Sequence, residues 1–405
     1  MKEEYRSPNK RVVVVAARRS ALSKIPGAFS QIQEVDLLAS VFQVVSEGLH
    51  MWIDSAITGS AFPVERDNLC RKAILALNSP INIDCTTISK TCASSDEALY
   101  MAFTKIISGK SQAVLVGGCE KVSNSQYILR YMKDRVKNAS KGQLLCLSDI
   151  ENNFGENDMH YIAEILANRK YISREEQDIF AIKSRLKARM AYKNHRFDKE
   201  ILPIHFSKND NDVLCIDELT QQTFDEKKIH TEKPIFLQDG ALTNYNTSQM
   251  CDCAVAMVLM NYDMAQAAGI KCLVEIKDVS SICVAKADMG NAMEQCIEKI
   301  LNENHLRKND IDLYEINESF AVQAIATIKA LKINSGKVNV NGGNLALGYP
   351  IGASGMRMCV TLIYEMLRIN ARYGISTMCS GGTMANAILF ENKFAIKTDD
   401  TFNMR

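Results

Sequence analysis

The residue with the clearest chemical setting is Cys92, in the stretch INIDCTTISKTCASSDEALYMAFTKII at 81–107. Ile81, Ile83 and Ile88, with the β-branched Thr86 and Thr87, read as a buried strand. Apolar residues then recur at Ala98, Leu99, Ala102, Phe103, Ile106 and Ile107, which is the spacing of a helical face. Cys92 stands at the junction. Small residues follow it (Ala93, Ser94, Ser95), and one turn in come Asp96 and Glu97, acids that suit the start of a helix. A thiol so placed faces backbone N–H groups with no intrahelical partner and the positive end of the helix dipole. Both favour the thiolate, the form that attacks an acyl carbon. The competing reading is an inert core cysteine, because the chain has 13 Cys and free Cys is among the most buried residue types. The strand–Cys–helix setting is what separates Cys92 from the others.

The elements that must hold such a residue read as alternating strands and helices. Arg11–Ala17 is a short apolar strand, Val35–Leu49 has helical spacing, and Ala56–Phe62 is a strand closed by Pro63. Asn68–Leu77 reads as a helix and Ala113–Gly118 as a buried strand. This order predicts a parallel sheet covered on both faces. From about 120 to 245 the chain is more polar and strands are hard to find. There, Ser173 with Glu176 forms a capping box that opens an amphipathic helix, its Lys and Arg residues expected on a solvated face. This stretch is expected to be an insertion that covers the site. Met250–Met260 closes a first half. The second half repeats the order: strand Cys272–Ile276, helix Ala292–Asn304, strand Ile311–Ile316, helix Ser319–Leu331 and strand Val338–Val340. A glycine-rich loop, NGGNLALGYPIGASG at 341–355, follows, then helix Ser354–Ile369 and strands Ile375–Met378 and Ala387–Phe390 around the turn CSGGTM. Residues 393–405 read as a tail.

Totals exclude several function classes. The net charge of +1 gives no field to attract nucleic acid or an anionic membrane. No stretch reaches 18 uninterrupted apolar residues, so no membrane span is expected. The odd cysteine count with irregular spacing points to a reduced, cytoplasmic setting. The glycines of 341–355 fit neither nucleotide-binding fingerprint, and no His/Cys set has zinc-ligand spacing.

Four motifs together resemble the thiolases: TCASSDEAL around Cys92, NESFA at 317–321, NGGNLALGYPIGASG at 341–355 and CSGGT at 379–383. Lesser matches fall between them in the same order, so the resemblance runs over about residues 11–391. It implies an α/β fold of two similar halves in a five-layer αβαβα arrangement, with an inserted loop domain at about 120–245. The first half would be 1–265 and the second 266–392. It implies acyl transfer from a coenzyme A thioester, by Claisen condensation or by thiolytic cleavage of a 3-ketoacyl-CoA. Cys92 matches the nucleophile that carries the acyl group, and Cys379 the cysteine that moves the α-proton of acetyl-CoA. Asn317 matches the asparagine that holds a water of one oxyanion hole; the N–H groups of Cys92 and Gly381 match the other. Ser248 matches a serine beside the pantetheine arm and Met159 a residue of the acyl pocket. Acyl-CoA is then the substrate, no further cofactor or metal is expected, and a homodimer or homotetramer is implied.

One departure changes the chemistry. The family motif G-H-P reads Gly348-Tyr349-Pro350 here. Tyrosine can donate a hydrogen bond to an oxyanion, but with an ordinary pKa of about 10 it is a poor base near neutrality. His160, beside Met159, is the most suggestive of the six histidines, with a partly exposed loop histidine as the plainer reading. Ser95, Thr383 and Ala385 stand where glycine is common in the family, and Asn344 where a small apolar residue is usual. Three readings follow: a C-acyltransferase with Tyr349 as oxyanion donor, acyl transfer from Cys92 to a non-carbon acceptor, and a non-catalytic CoA-thioester-binding or partner subunit.

Overall fold

The computed structural model describes residues 11–62, 67–78, 82–124, 127–130, 143–146, 159–207, 211–223, 225–285, 288 and 290–394. Pro63, Ile81 and most of the expected tail lie outside them.

Nine strands form the body of one large sheet. They are β1 (Val12–Ser20), β2 (Ser55–Gly59), β3 (Asp84–Ile88), β4 (Ala113–Glu120), β5 (Cys253–Asn261), β6 (Val274–Cys283), β7 (Leu313–Ile316), β8 (Tyr373–Ser380) and β9 (Met384–Glu391). Their order is β7-β8-β9-β6-β1-β5-β4-β2-β3. The sheet is mixed rather than parallel as expected. In each half the first strand pairs antiparallel with the last, β1 with β5 and β6 with β9. The next pairs, β5 with β4 and β9 with β8, are also antiparallel. Only β4–β2–β3 and β8–β7 run parallel. Each half thus closes by bringing its last strand back as a hairpin-like neighbour, a long-range choice that local periodicity does not encode.

The two halves repeat one order of pairing, and β1 and β6 join them antiparallel through Val12–Val14 and Val274–Ile276. The fifth position of the second half is reduced to a single parallel bridge, Tyr314 to Val338, so the expected strand Val338–Val340 is absent. β6 runs to Cys283 instead of ending near Ile276. Its polar tail is held by the ladder to β9 and by Asn304 Nδ2, which donates to Asp278 Oδ2 at 2.8 Å.

The principal helices are α1 (Glu34–Val45), α2 (Leu69–Leu75), α3 (Ser94–Ile107), α4 (Met159–Arg169), α5 (Arg174–Lys193), α6 (Ala292–Glu303), α7 (Ala321–Leu331), the short α8 (Asn344–Leu347) and α9 (Ser354–Ile369). Three apolar clusters reveal five layers. Leu37, Leu38 and Phe42 of α1 and Ala73 and Ile74 of α2 pack on one face of the first half's strands. Cys296, Ile297 and Ile300 of α6 pack on the outer face of the second half's strands, with Ala324 of α7. Between the sheets lie α3 and α9, sharing one cluster through Ala98, Leu99, Met356, Val360 and Ile363. Because α9 is central, twelve of its residues are buried, on all sides of the helix.

α5 begins at the expected capping box, the Glu176 N–H donating to Ser173 Oγ at 3.1 Å. Its basic residues are not all solvated. Lys187 Nζ donates to Val338 O at 2.8 Å, and just beyond the helix Arg196 donates to Asn341 Oδ1 at 2.8 Å. Ser184 donates to Glu318 at 2.8 Å and accepts from the Gly343 N–H at 3.0 Å. A Cβ at Gly342, whose φ is +82°, would stand 2.7 Å from Ser184 O. Helix α5 therefore rests directly on the glycine-rich loop. Among the described residues, no helix is long and apolar enough to cross a membrane.

Candidate active site

The two central helices begin at one place, and the candidate residues collect there. α3 starts two residues after Cys92, with Ala93 as its N-cap. α9 starts inside the glycine-rich loop that carries Tyr349. Cys379 is the next-to-last residue of β8, and Asn317 follows β7 directly. Strand ends and helix starts thus converge, the usual location of ligand sites in α/β sheets.

Cys92 is half-buried. The residue before it, Thr91, has φ of +46°, a strained conformation for a β-branched side chain. The Thr91 and Ser380 hydroxyls hydrogen-bond to each other, and Ser380 Oγ also donates to Lys90 O at 2.7 Å. The turn bearing Cys92 is thereby tied to the strand bearing Cys379. Lys90 Nζ reaches Glu97 at 2.6 Å, Asn386 Oδ1 at 2.9 Å and Ser281 Oγ at 3.0 Å. Glu97 is thus charge-paired, and burial pushes the Asp96 carboxyl up to about 7. The positive end of α3 thus lies behind Cys92 with one first-turn acid paired to a lysine and the other less readily ionised than a free carboxyl.

Tyr349 is buried, and its backbone is clamped by the 249–251 segment. Its N–H donates to Gln249 O at 2.8 Å, and its O accepts from the Cys251 N–H at 3.3 Å. Gly348, with φ of +116°, must be glycine, since a Cβ would stand 2.8 Å from Cys251 Sγ. The Tyr349 hydroxyl makes no hydrogen bond of normal geometry, yet lies within electrostatic reach of the Cys92 and Cys379 thiols and of Ser319. Burial first, and negative charge on the two sulfurs second, push its pKa well above the ordinary value. A phenol held in this way keeps its proton near neutrality.

Cys379 is buried, and burial raises its thiol pKa against opposing hydrogen bonds from Asn317 and Ser319. Asn317 Nδ2 donates to Cys379 Sγ at 3.2 Å and to Ser319 Oγ at 2.8 Å. The Cys379 thiol donates to Gln323 Oε1 at 3.7 Å. Ser248 Oγ and its N–H both donate to Ser319 O at 2.9 Å, fixing Ser248 to the Asn317 segment. Gly381 is exposed, with φ of +55°, in the turn after Cys379. Met159 packs beside Phe320 and Leu345. His160 is the second residue of α4, not part of a loop, and its ring lies between Phe236 at 5.7 Å and Phe320 at 5.2 Å.

Sequence reasoning missed Ser319, Gln323, Thr91 and Ser380 as site residues. Each lies within one to six residues of a residue that was singled out, and proximity in the motif was the available signal.

The chain as a whole matches known proteins. Residues 12–263 match the family description "Thiolase, N-terminal domain" and residues 270–392 match "Thiolase, C-terminal domain". The chain belongs to the thiolase family. An "Acetyl-CoA acetyltransferase" of Chromobacterium violaceum is 33% identical over 388 residues, covering 94% of this chain and 99% of the relative. The solved thiolase-fold structure of the Bacillus anthracis acetyl-CoA acetyltransferase is 32% identical with a TM-score of 0.89, over 95% of this chain and 99% of that one. Human mitochondrial 3-ketoacyl-CoA thiolase, solved in complex with CoA, is 27% identical with a TM-score of 0.88, over 95% and 98%. The thiolase fold is thus present from β1 to β9.

Proposed function

We propose that this thiolase is an acyl-CoA C-acyltransferase that carries its acyl group on Cys92. The reading rests above all on two thiols facing one tyrosine hydroxyl, with an asparagine amide bonded to the second thiol. The Cys92 thiol gives up its proton and its thiolate attacks the thioester carbonyl. The C–S bond to CoA breaks, and CoA leaves as a thiol with that proton. Cys379 then takes the α-proton of acetyl-CoA. The resulting enolate forms the new C–C bond at the acyl carbon and expels the Cys92 thiolate. The α-proton passes from Cys379 to that thiolate when the product is released, which closes the cycle. Run backwards, the same steps cleave a 3-ketoacyl-CoA. Electrons and protons balance without a further cofactor or metal. The relatives' names give no support to a non-carbon acceptor or to a non-catalytic subunit.

Tyr349 supplies a hydrogen bond to a developing oxyanion, while the end of α3 favours the Cys92 thiolate. Asn317 would hold the water that donates to one oxyanion, and the N–H groups of Cys92 and Gly381 would be the donors to the other. Ser248 and Met159 line the approach of the pantetheine arm and acyl chain. Tyr349→Phe keeps the ring and removes only the donor, so it should lower kcat by roughly 10²-fold, the usual cost of one oxyanion donor. Steady-state condensation assays read this, and an unchanged kcat would remove Tyr349 from the chemistry.

The separate matches at 12–263 and 270–392 support a division of the chain near residue 265, and within the first half 120–245 is read as the inserted loop domain from its polar character. The described cysteines are free thiols, which supports a cytoplasmic setting. The family resemblance supports a homodimer or homotetramer. Light scattering of the purified protein should give two or four chain masses; a single chain mass would contradict it.

A further inference from the structure

A line of buried polar side chains runs from the centre of the molecule to Cys379. Arg357, on the central helix α9, is fully buried, as are Asn344 and Asn317. The Arg357 guanidinium donates to Asn344 Oδ1. Asn344 Nδ2 donates to Asn317 Oδ1 at 2.6 Å. Asn317 Nδ2 donates to Cys379 Sγ at 3.2 Å.

The direction of this line is fixed at its first member. Guanidinium has donors and no acceptor, so the Asn344 amide must turn its oxygen to Arg357. Its NH₂ is then the end that meets Asn317. That in turn requires the oxygen of Asn317 there, and leaves the Asn317 NH₂ for Cys379. An isolated asparagine could present either end to a sulfur, since its two ends are nearly the same shape. Here the choice is set two residues away. A carbonyl oxygen facing a thiolate repels it; an NH₂ stabilises it.

We infer that Asn344 and Arg357 are positioning residues that lock the Asn317 amide with its NH₂ toward Cys379, so that Cys379 can carry negative charge when it takes a proton. The inference rests on the assignment of Cys379 as the proton-moving thiol, but its observable is the thiol itself. The titratable group that bears on Cys379 is Tyr349, from the glycine-rich loop, whose hydroxyl also lies within reach of the Cys92 thiol at the start of α3. Glu315, on β7, lies near Arg357 and not among the groups bonded to Cys379; burial raises its carboxyl to about 8 against the pull of Arg357.

The test is alkylation of Cys379 by iodoacetamide across a pH series, with the modified peptide quantified by mass. A Cys92→Ser background removes the neighbouring thiol. Asn344→Ala should raise the midpoint of Cys379 alkylation by about one pH unit and slow it about tenfold at pH 8, one unit of thiol pKa being tenfold in thiolate. Asn344→Asp is isosteric and still accepts from Arg357, but it offers an oxygen to Asn317 and forces that amide to turn over. Its midpoint should therefore rise further than that of Asn344→Ala. In an Asn317→Ala background, Asn344→Ala should shift nothing more. Equal midpoints in all variants, a lower midpoint for Asn344→Asp than for Asn344→Ala, or an undiminished shift without Asn317 would each overturn the inference. These readings do not depend on turnover. If Cys379 were not the base, the midpoints would still move.

Discussion

Cys92→Ala should lower turnover by about 10⁴-fold or more, the scale of loss when a covalent nucleophile is removed from a working site. The effect is large because the scheme passes every acyl group through this sulfur. A hydroxyl cannot substitute: Cys92→Ser supplies an oxygen whose conjugate base is far less available, and Tyr349, which stays protonated, cannot take its proton. The measurement is the rate of CoA release from acetyl-CoA, together with the rate of 3-ketoacyl-CoA cleavage. Both should fall together, while the thermal melt stays near that of the parent. A variant that kept more than a few per cent of either rate would show that the acyl group travels another way.

Cys379→Ala separates the two half-reactions. Removal of a general base costs about 10²–10⁴-fold in the step it serves. That step is deprotonation of acetyl-CoA, so condensation should fall by this factor while the first acylation of Cys92 continues. A pre-steady-state burst of CoA release, with no condensation following, is the expected result. The geometry motivates the split. Cys379 is buried and bonded to Asn317, Ser319 and Gln323, whereas Cys92 stands half-exposed before α3. Loss of the burst in Cys379→Ala would mean that Cys379 also activates Cys92, and the assigned roles would have to be redrawn.

The setting of Cys92 was legible because its signals are local. Ile83, Thr86 and Ile88 make a strand, and the apolar spacing after Ser94 makes a helix; the structure has β3 and α3 there. α9 and β8 were legible for the same reason. The sheet order was not, because pairing β1 with both β5 and β6 joins residues more than two hundred positions apart. β6 was cut short because Lys277, Asp278, Ser280 and Ser281 look like loop residues; their partners on other elements keep them in the sheet. Val338–Val340 carries strand residue types, but only Val338 finds a partner, since the chain turns at Asn339 with φ of +44°. At the site, the substitution of Tyr349 for histidine was visible as a change of chemistry, from base to donor. Asn344 was visible only as an odd polar residue. Its meaning needed Arg357 on one side and Asn317 on the other, which the sequence separates by 13 and 27 residues. His160 attracted notice through its neighbour Met159, yet its ring is held between two phenylalanines.

The most direct test of the central claim is the intact mass of the parent protein after incubation with acetyl-CoA, with the modified site mapped by peptide digestion. One acetyl group per chain, on Cys92 and absent from Cys92→Ala, is the predicted result. Folded protein that takes up no acetyl group, or takes it up on a residue other than Cys92, would contradict the account.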